Sequence, residues 1–246
     1  ALDANTTGSY NTAIGTRALT AITGSGNCAV GEDALMTATA GTQNIAMGQS
    51  AMRLLTTGNY NIAIGANTIA SSHSGSNNTA VGHGAMNTNV SSNNTAYGFN
   101  ALYGVTTGDS NVAIGGYCMG NATITASNNT AVGKAAMYNV TSGAYNIAMG
   151  HDTMKNGTLI GDANAAIGAS SMASLTSGSE NNAMGRYSLD ACTTGSQNAA
   201  FGHHALGQVT TGTYNTGLGG HAPGYEITTG SNNTCIGNNA GRNTSP

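Results

Sequence analysis

One five-residue pattern, Asn-x-Ala-apolar-Gly, recurs fourteen times along the 246-residue chain, with Gly217 and Cys235 in place of the alanine in the last two copies. Successive asparagines are 16 to 18 residues apart, with a mean of 222/13, close to 17. A period this constant predicts a repeat architecture. We call these residues the ladder asparagines; they are Asn11, Asn27, Asn44, Asn61, Asn78, Asn94, Asn111, Asn129, Asn146, Asn164, Asn181, Asn198, Asn215 and Asn233.

Further positions of the repeat are nearly as regular. The fourth residue after each asparagine is glycine, from Gly15 to Gly237, and the residue before that glycine is apolar in every copy. In the first twelve copies, the fourth residue after this glycine is Leu, Met or Ile. Seventeen residues are too few for a pair of helices but sufficient for one coil of short strands and turns. The pattern predicts an all-β fold, a β-solenoid (β-roll or β-helix) of about fourteen 17-residue repeats.

Side chains alternate between two faces within each predicted strand. In the stretch NIAIG at 61–65, Asn61 and Ala63 share one face, while Ile62 and Ile64 are expected to bury the other. Like residues should stack between coils, so that the asparagines hydrogen-bond along a ladder. The later Ala-Leu or Ala-Met of each repeat could begin a helical turn or a second strand, and a second strand is the favoured interpretation.

The repeats predict a single array over residues 1–246, a fragment of a longer protein. Residues 1–2 resemble the end of an incomplete repeat, and atypical capping repeats are expected at about 215–246. Burial of two large side chains per coil offsets only part of the conformational entropy lost in ordering seventeen residues. Association of identical chains would supply the missing burial, most simply as an intertwined or side-by-side homotrimer.

Composition excludes several classes of function. Charged residues are 6% of the chain, and its six Lys and Arg are scattered, which argues against a nucleic-acid partner. No apolar run is long enough to span a bilayer, so membrane insertion is not expected. No recurrent acidic pair, catalytic triad or metal-ligand spacing occurs, so we expect no enzymatic activity, cofactor or metal.

The cysteines stand in different repeats, too far apart for disulfides, and no CxxC motif occurs. Cys28 and Cys235 occupy packing columns, where buried thiols are expected. His83, His151 and His203 each follow the repeat glycine. Other copies carry varied polar residues there, so this position is expected to be an exposed corner rather than a metal site.

The repeats resemble two related families. The NTAIG-like units followed by Ala-Leu or Ala-Met resemble the left-handed β-roll heads of trimeric autotransporter adhesins. The longer form TTGNYNIAIG at 56–65, with the variant NTCIGNNAG at 233–241, is more similar to the repetitive shafts of bacteriophage tail fibres. The resemblance implies a homotrimeric structural fibre segment of a virion that supports host attachment. The alternative it leaves open is the head of a trimeric adhesin on a bacterial surface.

A cell-surface glycan or protein receptor would contact the corners where the repeat varies. The candidate receptor contacts are His83, Phe99, Tyr117, Lys155, His203 and His204. An ice-binding solenoid is a weaker alternative, because threonine occupies the residue after the ladder asparagine in only six of fourteen copies.

Overall fold

The computed structural model describes residues 1–2, 5–71, 74–88, 90–120 and 123–242. The last four residues of the expected capping region therefore lie outside the described part. The chain divides into two compact units, Ala1–Thr125 and Ala126–Pro246. The described residues contain strands and turns but no helix. The prediction of an all-β solenoid is confirmed.

Each unit contains seven short strands, and each strand pairs in parallel with the next one in its unit. The first unit has β1 (Thr12–Ile14), β2 (Cys28–Val30), β3 (Ile45–Met47), β4 (Ile62–Ile64), β5 (Thr79–Val81), β6 (Thr95–Tyr97) and β7 (Val112–Ile114). The second unit has β8 (Thr130–Val132), β9 (Ile147–Met149), β10 (Ala165–Ile167), β11 (Asn182–Met184), β12 (Ala199–His203), β13 (Thr216–His221) and β14 (Thr234–Ile236).

The strand register stacks like residues on like. Ala63 lies beside Ala46 in the preceding coil and beside Ala80 in the following one, and the neighbouring columns keep the same register. These alanines are fully buried. A methyl group is small enough for the opposite wall of the coil to approach closely, which explains the recurrence of alanine.

The large apolar residue that follows the alanine in each strand points out of the coil, away from the side on which the alanine is buried. Ile64 is 40% exposed and Ile114 is 40% exposed, although each flanks a buried alanine. The expectation that Ile62 and Ile64 bury a strand face is therefore wrong for the single chain: the alanine and asparagine side chains fill the coil, and the larger residues face outward. The coil is too thin at this wall for branched side chains.

The ladder asparagines form the predicted hydrogen-bonded column. The Asn61 side chain donates from Nδ2 to Asn44 Oδ1 (3.0 Å) and to the Gly75 carbonyl (2.8 Å). The same Asn44 oxygen accepts the Asn61 backbone N–H at 2.9 Å. Because this column is buried, the amides satisfy backbone groups that no water reaches.

Left-handed backbone makes the corners. Every repeat glycine except Gly219 has φ between +116° and +143°, as at Gly65, where a Cβ would lie 2.7 Å from the Gly82 carbonyl carbon. Non-glycine residues also adopt positive φ, for example Tyr60 (58°), Asn67 (54°) and Ile69 (50°). This is an unusual conformation for a β-branched residue such as isoleucine.

The predicted second strand is wrong. The Ala-Leu and Ala-Met segments are successive turns rather than extended backbone. Their Leu, Met and Ile side chains nevertheless fill the interior, and Leu19, Met52 and Met86 are fully buried. Turns with residues of positive φ replace a strand and reverse the chain within a few residues, and they bury both the small and the large residue of each pair, as at Ala51 and Met52.

A further interior column escaped the sequence pattern. Ile22, Leu55 and Val105 belong to it and are fully buried. All four cysteines are free, but the expected burial of Cys28 and Cys235 is wrong: both are half-buried, and Cys118 and Cys192 are the buried thiols. Burial raises the pKa of Cys118 to about 12 and that of Cys192 to about 11.

Candidate functional site

Three predicted receptor contacts meet on one corner of the first unit. The His83 ring stacks on the Phe99 ring at 5.4 Å between centroids, and Phe99 meets Tyr117 edge-on at 5.2 Å. Their positions after the repeat glycine place them on successive coils. They form a short exposed aromatic ladder, an arrangement that the spacing alone did not reveal.

Lys155 stands apart from the other predicted contacts of the second unit. Its ammonium group lies 2.9 Å from Asp152 Oδ1. His151 Nδ1 approaches the other oxygen of the same carboxylate at 3.4 Å. These side chains are partly exposed, and a surface ion pair of this kind adds little stability.

His203 and His204 belong to a larger ring cluster in the second unit. Their own centroids are 4.3 Å apart, and His203 lies 5.1 Å from His221 on the next coil. His204 stacks on Tyr187 at 4.9 Å and meets Tyr225 edge-on at 5.6 Å. The sequence analysis did not name Tyr187, His221 or Tyr225 as contacts, although Tyr187 and His221, like His204, are the second residue after the repeat glycine.

A β-bulge brings His221 into this cluster. The register shifts between Phe201 and His203, so that His203 pairs with His221. One extra residue has entered this coil: the Leu206 amide donates to Pro223 O, whereas Leu189 donates to Ala205 O one coil earlier. Bulges of this kind redirect side chains.

The extra residue also sets the alignment of the next repeat. Pro223 stands in the small-residue column, and Gly224, with φ of 63°, takes the Leu/Met column. Gly220 lies within the bulge, and a Cβ there would contact nothing within 4 Å. The backbone at Gly220 therefore borders open space.

A cleft of about 220 Å³ lies at these histidines, and we call it the histidine cleft. It is lined by His203, His204, His221, Ala222, Tyr225 and Arg242. Arg242 lies over the Tyr225 ring at 5.6 Å, and Arg186 lies over the Tyr187 ring at 4.5 Å. Within the described residues neither guanidinium has a carboxylate partner.

The histidines share this cationic environment. Partial burial lowers the pKa of His203, and the charges of His204, His221 and Arg186 lower it further. The pKa of His204 is lowered by burial and then by His221 and Arg186. Both imidazoles are therefore biased towards the neutral form near pH 7.

Two buried polar atoms near the cleft lack a hydrogen-bond partner in the described structure, His204 Nδ1 and Asp190 Oδ1. Asp190 Oδ1 packs against Gly207, beside Tyr225. Burial raises the pKa of this carboxyl group. For His204, an unpaired buried Nδ1 favours the tautomer with its proton on Nε2, since a buried N–H without an acceptor costs more than a bare ring nitrogen.

The other surface of note is the outward side of the strands, which we call the outer strand face. It consists of the residues before and after each strand alanine, and none of these is charged in any of the fourteen copies. Eleven large apolar side chains after that alanine position are exposed: Ile14, Met47, Ile64, Tyr97, Ile114, Met149, Ile167, Met184, Phe201, Leu218 and Ile236. A shallow hollow of about 70 Å³ lies among Ile167, Met184 and Phe201.

The described part of the chain contains no grouping of three or more His, Cys, Asp or Glu placed to hold a metal ion. It also contains no helix with the length and apolar character needed to cross a membrane. Comparison of the chain with protein-family models, curated proteins and solved structures found no match.

Proposed function

We propose that this chain is a structural segment of a phage tail fibre, non-enzymatic and homotrimeric, which supports attachment to the host. The single observation that carries the proposal is the charge-free, exposed outer strand face. Seven strands at about 4.8 Å spacing give each unit an apolar strip roughly 30 Å high. A contiguous strip of that size on a monomer would mark an interaction site.

A second and a third copy of this chain are the partners that fit the strip best. An identical chain presents apolar side chains at the same spacing, so coil can meet coil throughout the contact. The strip offers no charge with which a differently charged partner could pair. The hollow between Ile167 and Met184 would receive a protruding side chain from a neighbour. Three chains, rather than two, follow from the resemblance to trimeric fibres.

The mass in solution tests this assembly. Three chains of 24.3 kDa give about 73 kDa by light scattering. The double variant Ile64→Glu/Ile114→Glu should yield monomers, because each glutamate would lose its hydration in the interface. Tyr60→Glu is the matched control: Tyr60 is 59% exposed but lies outside the outer strand face, so this variant should remain trimeric. A 24 kDa wild-type particle would overturn the assembly.

The fibre role has its own test, distinct from the mass. The coding sequence that flanks this segment should specify a tail-attachment region or a trimerising chaperone. A membrane-anchoring segment instead would assign the array to a bacterial surface adhesin. The ice-binding alternative has no support in the arrangement of side chains, since Ile45 and Ile62 interrupt the threonines on the outer strand face.

A further inference from the structure

The histidine cleft combines features that a packing surface does not need. It lies where a one-residue bulge shifts the strand register. Arg242 lines it, and within the described residues this guanidinium has no carboxylate partner. The open volume, the histidine and tyrosine rings and the positive charge of Arg242 therefore occur together in this cleft.

The hydrogen-bonding groups of the cleft are complementary to one another. The buried, unpaired Nδ1 of His204 favours the tautomer with its proton on Nε2, which is then a donor. His221 Nδ1 lies 3.3 Å from Asn239 Oδ1; with that oxygen as acceptor, the proton is on Nδ1 and Nε2 is an acceptor. The cleft therefore offers one imidazole donor and one imidazole acceptor, a pair suited to the hydroxyl groups of a sugar ring.

The remaining lining specifies charge and size. Arg242 supplies a planar fork of donors that matches a carboxylate. The Tyr225 ring provides an apolar surface against which a sugar ring can pack. The volume of 220 Å³ is below the range of about 300–1,000 Å³ typical of drug-sized ligands, so the site would hold one ring at a time.

We propose that the histidine cleft binds a carboxylated sugar unit, with its carboxylate on Arg242 and its hydroxyl groups on His204 and His221. This assigns a ligand class to a site within one chain, beyond the structural role proposed above. A trimer without binding, or binding by a monomer, would separate the two proposals.

Titration calorimetry of the purified chain against a small panel tests the site. The probes are the methyl glycosides of glucuronate, galacturonate and N-acetylneuraminate, with methyl glucoside and inorganic phosphate as comparison ligands. At least one acidic glycoside should bind saturably and at least tenfold more tightly than methyl glucoside and phosphate. Equal binding of phosphate would reduce the site to a general anion site and overturn the proposal, as would the absence of binding by all three acidic sugars.

Variants locate the site. Arg242→Gln should weaken binding at least tenfold, as expected for the loss of a charged hydrogen-bonding pair. His221→Ala should weaken it as well, because it removes the proposed hydroxyl acceptor, whereas His151→Ala removes a histidine from a corner of another repeat and should leave affinity unchanged. Equal effects of the two histidine variants would place binding elsewhere. Unchanged far-UV circular dichroism and mass would show that each variant has folded.

The pH profile supplies a further readout. The titratable and charged groups around His203 are His204, His221 and Arg186. His204 also contacts Tyr187 and Tyr225. Arg242 lines the same cleft, and Asp190 lies next to Tyr225. The lowered pKa values place protonation of His203 and His204 below the ordinary value of 6.5. Affinity for the acidic sugar should therefore rise as the pH falls from 7.5 to 5, while the sugar carboxylate stays ionised. A flat profile in the wild type would show that the histidines do not face the ligand.

Discussion

Removal of one ladder asparagine tests the physical basis of the solenoid. Asn181 is fully buried, and its Nδ2 donates to Asn164 Oδ1 (3.1 Å) and to the Gly195 carbonyl (2.8 Å). Its Oδ1 accepts the backbone N–H of Asn198 at 3.0 Å and that residue's side-chain amide, also at 3.0 Å. Asn181→Ala therefore deletes four hydrogen bonds at once.

The cost of this substitution follows from the groups left behind. The Asn198 backbone N–H loses its acceptor in a buried setting, which costs about 1–3 kcal/mol. The Gly195 carbonyl loses its amide donor, and a small void replaces the side chain. The Asn198 side chain keeps its bond to Gly212 O at 2.9 Å, which limits the damage. We expect a loss of about 3–4 kcal/mol in the free energy of unfolding.

Two measurements check this magnitude. The thermal midpoint should fall by about 10 °C, at 2–4 °C per kcal/mol for a chain of this size. Native-state hydrogen exchange should show the Asn198 amide losing protection more than amides several coils away.

The adjacent residue provides the matched control. Asn182 points outward, and Ala165 and Ala199 occupy its column in the neighbouring coils, so Asn182→Ala should change stability by less than about 0.5 kcal/mol. Equal stability of the two variants, or an Asn198 amide that stays protected in Asn181→Ala, would refute the ladder as a source of stability.

Two further predictions concern the corners and the interior. Gly168→Ala should lower the free energy of unfolding by about 3 kcal/mol or more, because φ is +130° and the new Cβ would lie 2.6 Å from Gly185 O. Gly220→Ala is the control: its Cβ would contact nothing within 4 Å, so stability measured by urea titration should not change. Equal urea midpoints for the two variants would contradict the argument from close approach. In the folded chain at pH 8, Cys118 and Cys192 should resist a thiol-disulfide reagent, since burial raises their pKa values to about 12 and about 11 and the thiolate is the reactive form. Unfolding should release both thiols, and rapid labelling of Cys118 in the folded chain would contradict its burial.

The repeat itself made much of the fold predictable. A fixed period with alternating Asn61, Ile62 and Ala63 specifies parallel strands stacked in register, and a glycine in every copy marks the corner. Which strand face fills the coil depends on the diameter of the coil, and that diameter depends on turns the pattern does not encode. The left-handed Ile69 is such a turn: local preference disfavours it, and tertiary packing maintains it.

The candidate site was predictable only in part. His203 and His204 stand out because they depart from the repeat, and the same reasoning found Phe99. Tyr225 and His221 could not be placed, since their approach depends on a one-residue bulge that shifts every later position of the coil. The sequence does contain a sign of the bulge, because the segment between Gly219 and Gly224 is one residue longer than in other repeats. An alignment that fixes only the repeat glycines does not show this extra residue.

The uniform register of the coils makes the length of the array adjustable in whole repeats. Each of the first twelve coils carries the same amide, the same alanine and the same glycine corner, as Ala46, Ala63 and Ala80 illustrate. Excision or duplication of one complete coil joins surfaces that already match, and the spacings of 16 to 18 residues between ladder asparagines show that the turns absorb a difference of one residue. Recombination between repeats could thus change the number of coils without redesigning any contact.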